Sequence, residues 1–284
     1  MPRSPGVLVA LLLLAGDAGA HGTLDEATAM FDREISARPA DPTPHIRRAA
    51  VMLENGCWQT ALADIELAVR KGAGRAELDL LSARALAAAR QPGMAMALLD
   101  DFVSAHPAHA AALLTRARLA RELGQPEKAI ADFRAALSCS KNPEPDLYIE
   151  LAALLHEQRR SDEAVAALSQ GMEQPRPPAS LAIKAIEIQM AEGRIDDALK
   201  VIDTMQSLSP RLEPWMARRA SILAQAGRHD EAREAWLLLK THLEKLPEHE
   251  RGSHAMSMIA LQAAQALRPP ARRDISATNP INRP

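Results

Sequence analysis

One residue pattern returns through this chain at a nearly fixed interval. GTLDEATAMFDREIS from Gly22 aligns with GCWQTALADIELAVR from Gly56, RQPGMAMALLDDFVS from Arg90 and GQPEKAIADFRAALS from Gly124. RRSDEAVAALSQGME from Arg159, GRIDDALKVIDTMQS from Gly193 and GRHDEAREAWLLLKT from Gly227 continue the series. An alanine stands five residues into each: Ala27, Ala61, Ala95, Ala129, Ala164, Ala198 and Ala232, at spacings of 34, 34, 34, 35, 34 and 34. Four residues further on comes a bulky apolar side chain (Phe31, Ile65, Leu99, Phe133, Leu168, Ile202, Trp236), one helical turn away and so on the same helix face.

A second apolar helix pattern precedes every line from Gly56 onward. It places Ala49, Ala83, Ala117, Ala152, Ile186 or Ala220 twelve residues before the key alanine. Small residues at matched points of two helices let their backbones approach. A glycine between them suits a turn that needs positive φ. Pro39, Pro107 and Pro210 fall where second helices should end. The apolar residues are mostly Ala and Leu, both strong helix formers. The expected fold class is therefore all-α, built from helical hairpins that bury their faces against their neighbours.

A helix–turn–helix unit of 34 residues with a recurring G-x-x-[DE]-[DEK]-A core resembles the tetratricopeptide repeat (TPR) family, over about residues 22–245. The departures are Leu and Ala for the Trp and Tyr usual in the first helix, Arg90 and Arg159 for glycine, and Ile186 at a small-residue position. The predicted organisation is a half-repeat helix over 21–41, six repeats over 42–245 and a capping region over 246–267. The last of these contains a helix from Ser253, a suitable N-cap. A tail over 268–284, with four prolines and no periodicity, is predicted disordered.

The resemblance implies an α-solenoid superhelix whose first helices line a concave surface that binds a protein or peptide. On that surface fall Arg47, Arg84, Arg118, Arg121, Lys184 and Arg218, with Ile46, Leu80, Leu114, Ile149 and Ile183 beside them. A basic, partly apolar groove suits an extended peptide carrying acidic groups or a C-terminal carboxylate. The competing reading is that arginine only solubilises an alanine-rich surface. Some family members hold a peptide carboxylate with a Lys/Asn clamp; no Asn lies on these faces, so that mode is not expected.

The N-terminus follows another logic. One arginine in MPRSPG, the uncharged run VLVALLLLA and then AGA make the three parts of a secretory signal. Cleavage after Ala20 would discard residues 1–20 and leave His21 at the mature N-terminus. The run is short for a membrane span. The expected location is periplasmic or secreted, with no span after cleavage.

Chemistry is sparse. The formal net charge of −2 gives no global reason to expect nucleic acid. GxSxG, GxxxxGK[ST] and CxxC are absent, and His156-Glu157 lacks a second His at Arg160. Asp100-Asp101 and Asp196-Asp197 read as charged helix faces. Cys57 and Cys139 are two repeats apart and read as buried free thiols rather than a disulfide. A free N-terminal His21 could chelate Cu(II), with His45 or Glu26 as conceivable partners. No cofactor and no catalysis are expected. The sequence thus points to a non-catalytic scaffold binding a protein or peptide in the cell envelope. The alternatives are an envelope assembly or polymer-export scaffold, or metal binding at His21.

Overall fold

The computed structural model describes residues 20–174 and 176–268 of the 284-residue chain. They form two compact units, one ending at Ala136 and the other beginning at Leu137. Helices run through both, and no strand occurs among the described residues.

Among the described residues the first unit opens on α1 (Ala20–Ala37). Three hairpins follow. They are α2 (Thr43–Glu54) with α3 (Trp58–Arg70), α4 (Arg75–Ala88) with α5 (Pro92–Ala105), and α6 (Ala110–Glu122) with α7 (Pro126–Cys139). Helix α7 ends just past the division. Pro44 and Pro92 occupy first turns, where a missing N–H leaves no intrahelical bond unmade. The His109 Nδ1 accepts from the Ala112 N–H at 3.1 Å and caps α6. Ala49, Ala61, Ile65, Ala68 and Leu78 are buried in one cluster, so two small residues bring α2 and α3 together while Ile65 and Leu78 fill the space toward α4.

The second unit holds α8 (Pro145–Glu157) with α9 (Ser161–Gly171), α10 (Ala179–Ala191) with α11 (Ile195–Leu208), and α12 (Glu213–Gln225) with α13 (His229–Lys245). A four-residue turn of helix, α14 (Glu248–Arg251), leads to α15 (His254–Ala266). The Ser253 hydroxyl accepts from the Met256 N–H at 3.3 Å, so the expected cap is formed. Helix α15 rests on α12 and α13 through Met256 and Ala263, with Ile259 and Leu267 half-buried beside them. Its outer face exposes Met258 and Leu261. Ion pairs tie successive hairpins at their turns, Arg194 to Asp162 and Arg228 to Asp196.

The turns explain the spacing. In all six hairpins the residue five before the key alanine has positive φ: Gly56, Arg90, Gly124, Arg159, Gly193 and Gly227, between 60° and 77°. The next N–H bonds back five residues, as in Gln125 to the Ala120 carbonyl at 2.8 Å or Arg160 to Leu155 at 2.9 Å. This closes each first helix in a Schellman-type turn. Arg90 and Arg159 therefore take the glycine conformation at the glycine position. Helix α1 departs from the pattern. It already runs through Gly22.

Close approach at the key alanines is general. All are buried from Ala61 to Ala232, as are their first-helix counterparts, Ile186 included. In the fourth hairpin the compensation is visible. Gly171 faces the Tyr148 ring and Leu181, and a Cβ there would stand 2.8 Å from the Leu181 Cδ1 and 2.9 Å from the Tyr148 Cγ. A large side chain on α8 is matched by the smallest on α9.

Residues 1–19, most of the expected signal, and 269–284, nearly all of the expected tail, lie outside the described residues. Among the described residues no helix is long and apolar enough to cross a membrane.

Candidate peptide-binding face

The face is generated by the same register. Measured from the small residue of each first helix, positions −2, +1 and +4 recur on one side of the helix. Arg47, Lys184 and Arg218 are at −2, Arg84 and Arg118 at +1, and Arg121 at +4. Position −3 is Ile46, Leu80, Leu114, Ile149 and Ile183 in the first five hairpins, and each of these is half-buried. A charged row thus runs beside an apolar shoulder in each unit.

The structure divides the six basic residues. Arg47, Arg84, Arg118 and Arg121 belong to the first unit, Lys184 and Arg218 to the second. Arg47 is already occupied: its Nη1 donates to Glu34 at 2.9 Å and its guanidinium lies 5.3 Å from the centre of the Phe31 ring. Arg118 and Arg121 are exposed and engaged with neighbours. Among the described residues Arg84 and Arg218 have no ion-pair partner, and Arg84 is exposed. In the second unit the row carries acids as well. Glu150 stands at −2, and Glu187 at +1 pairs with Lys184 at 3.3 Å. Basic character is therefore concentrated on α2, α4 and α6. A shallow cavity of about 670 Å³ opens at the ends of α4 and α6, floored by Ala87, Ala88 and Leu123, with Arg90 and Glu122 at its edge.

The other sequence candidates resolve differently. Among the described residues no group of three or more metal-binding side chains gathers, and the His21 side chain lies outside them. His45 is not available as its partner: it is buried, with Nδ1 2.8 Å from the Asp64 carboxylate. Glu26 is exposed. Both cysteines are free, but the expected burial fails. Cys139 is exposed because it ends α7 on the outward side, and Cys57 is half-buried at a turn. Three of the four paired acids are taken: Asp100 accepts from Arg116 and Lys128, Asp196 from Arg228, and Asp197 from Lys200, while Asp101 is exposed.

A set of buried ion pairs was not anticipated. Arg48 on α2 donates through Nε and Nη2 to both Asp64 oxygens on α3, each at 2.7 Å, and through Nη1 to Asp32 on α1. Arg116 on α6 repeats the arrangement with Asp132 at 2.7–2.8 Å and Asp100 at 3.0 Å. Each arginine clamps the second helix of its own hairpin to that of the preceding one. Its hydrogen bonds to the carboxylates, those of the own-hairpin aspartate first, hold its pKa above the ordinary arginine value. The three residues are spaced by 16 in sequence, and that interval is the signal that could have exposed them.

Fold and face together define an α-hairpin repeat protein with charged first-helix surfaces. A tetratricopeptide repeat family model matches residues 110–143, which are α6, α7 and the loop that follows. The hairpin it matches is one of six among the described residues. Over that hairpin the chain is similar to the tetratricopeptide repeat family. Similar in structure is the C-terminal part of a TPR repeat-containing protein from Cytophaga hutchinsonii, with a TM-score of 0.53 and 14% identity over 86% of this chain and 89% of that one. PilF of Pseudomonas aeruginosa matches at 0.49 and 17% identity, over 66% and 86%. YrrB, described as a TPR protein with an unusual peptide-binding site, matches at 0.40 and 16%, over 83% and 97%. No curated protein matches.

Proposed function

We propose that this chain is a non-catalytic scaffold of a bacterial cell envelope that holds a partner protein through an extended, acidic segment laid on the first-helix face of the first unit. The observation that carries this reading is the concentration of Arg84, Arg118 and Arg121 beside the half-buried Leu80 and Leu114. Apolar side chains give a peptide something to bury, and guanidinium groups favour carboxylates over other anchors. TPR proteins bind proteins or peptides, which supports the class of partner. The envelope location rests on the three-part signal in residues 1–20.

Two experiments test it. Crosslinking in intact cells should capture a partner with the native chain, and capture should fall with Arg84→Glu and Arg118→Glu combined; undiminished capture removes the face from the argument. Mass spectrometry of the exported chain should find His21 as the first residue. An intact N-terminus would remove the location.

A further inference from the structure

The second unit contains a third clamp that lacks one of its parts. Arg219 on α12 stands at the position of Arg48 and Arg116, immediately before the small residue of its helix. Its Nη1 donates to Asp203, 16 residues earlier, as Arg48 does to Asp32 and Arg116 to Asp100. Sixteen residues later, where the complete clamps have Asp64 and Asp132, this one has Ala235. The Nε and Nη2 edge that takes both aspartate oxygens in the other two has no hydrogen-bond partner among the described residues. The exposure of the arginine side chain rises accordingly, from 16% in both complete clamps to 33% here.

Arg219 borders open space. Asp203, Arg219 and Ala235 line a cavity of about 510 Å³, walled by Leu212, Met216 and Leu238. Leu238 is 64% exposed, more than any other large apolar residue among the described ones. The two complete clamps also place a further donor at one carboxylate, His45 at Asp64 and Lys128 at Asp100, each at 2.8 Å. Here Lys245 borders the cavity and supplies positive charge.

We infer that this cavity binds a carboxylate borne on a partner peptide, seated on the Nε/Nη2 edge of Arg219 where an aspartate of the chain sits in the other clamps, with an adjacent apolar side chain against Leu212, Met216 and Leu238. The filled clamps identify the ligand chemistry. A planar, two-oxygen acceptor matches the two parallel N–H donors of the guanidinium. The carboxylate can come from an aspartate or glutamate side chain or from a chain terminus. The site is in the second unit and does not depend on the first-helix face proposed above.

The test uses the full chain and three N-acetylated pentapeptides with leucines around the central residue. One has a central aspartate and an amidated end, one a central asparagine and a free terminal carboxylate, and one asparagine with an amidated end. Binding is followed calorimetrically. One or both of the carboxylate peptides should bind at least tenfold more tightly than the third, and their comparison separates side-chain from terminal recognition. Arg219→Gln should abolish the difference. Ala235→Asp should abolish it too, while raising the thermal midpoint, because it supplies the missing acceptor from within. Equal binding of all three peptides overturns the inference, as does discrimination that survives in either variant. Should Ala235→Asp fail to fold, Arg219→Gln decides alone.

Discussion

Replacing Arg116 by Met should cost far more stability than replacing Arg219 by Met, although both arginines hold the same place in their hairpins. Methionine keeps most of the apolar stem of the arginine side chain, so packing changes little in either variant. What differs is the group left behind. At Arg116 the stranded carboxylate is Asp132, 4% exposed, which loses hydrogen bonds at 2.7 and 2.8 Å to both of its oxygens. An uncompensated buried charge of this kind costs about 3–5 kcal/mol. The lower end applies here, since the arginine itself is 16% exposed and water can enter. At Arg219 the stranded partner is Asp203, whose side chain is 58% exposed and rehydrates freely. That loss is about 0–1 kcal/mol. Equilibrium urea unfolding followed by circular dichroism should therefore separate the two variants by roughly 2–3 kcal/mol. The double variant Arg116→Met, Asp132→Leu should recover most of the loss, because no buried charge remains. Leu98, at the position of Asp132 in the second hairpin, shows that the site accommodates leucine. Losses within about 1 kcal/mol of one another, or a double variant as unstable as Arg116→Met, would refute the reasoning.

Three further outcomes follow from the packing, the turns and the surface acids. Gly171→Ala should destabilise by about 1–3 kcal/mol through overlap with Tyr148 and Leu181, although helix propensity alone favours alanine; a thermal melt reads the sign, and a Tyr148→Leu background should reverse it. Arg159→Gly, at φ 61°, should raise the melting temperature, whereas Gly227→Ala, at φ 75°, should lower stability by about 1 kcal/mol. The carboxyls of Asp41, Asp197 and Glu231 are held below their ordinary pKa by hydrogen bonds from Thr43, Lys200 and Arg228 respectively. Their contribution is complete above the ordinary carboxylate pKa and is lost as pH falls through the lowered folded values. Melting temperature should thus fall on acidification below about pH 5, and Asp197→Asn with Glu231→Gln should flatten that slope.

Much of the fold is legible in the sequence because one interval fixes several features at once. The 34-residue spacing locates the key alanines, the bulky residues a turn later and the reversal between helices. It even explains Arg90 and Arg159, which adopt the left-handed conformation because register demands it there. The clamps are hidden by the same regularity. Asp32, Arg48 and Asp64 lie on three different helices, and each alone looks like a solvated charge. Asp100 was read as part of a charged face for that reason, although Arg116 and Lys128 hold it, and His45 as a possible metal partner, although the buried Asp64 carboxylate holds it. Burial of Cys139 could not be read from periodicity, since it sits on the last turn of α7, where few neighbours cover it. The division at Ala136 has no marker at all: it falls inside a helix, with no proline, glycine or change of composition.

The space between neighbouring second helices is filled in two ways in this chain. In the first and third hairpins an arginine and two aspartates occupy it. In the second and fifth the corresponding first-helix position is Ser82 or Ala185, and the own-hairpin position is Leu98 or Val201. Both solutions are self-consistent, for an ion triad with every donor placed and an apolar plug differ little in net stability. The sixth hairpin combines them. It keeps the arginine and the preceding aspartate, yet it has alanine where the second carboxylate belongs. A repeat selected for stability alone gains nothing from half of each solution, because an unpaired guanidinium edge is satisfied only by water. A peptide that brings its own carboxylate completes the triad and covers Leu238 in the same step. On the inference drawn above, the mixed hairpin is where, among the described residues, a binding partner supplies what the first and third hairpins supply for themselves.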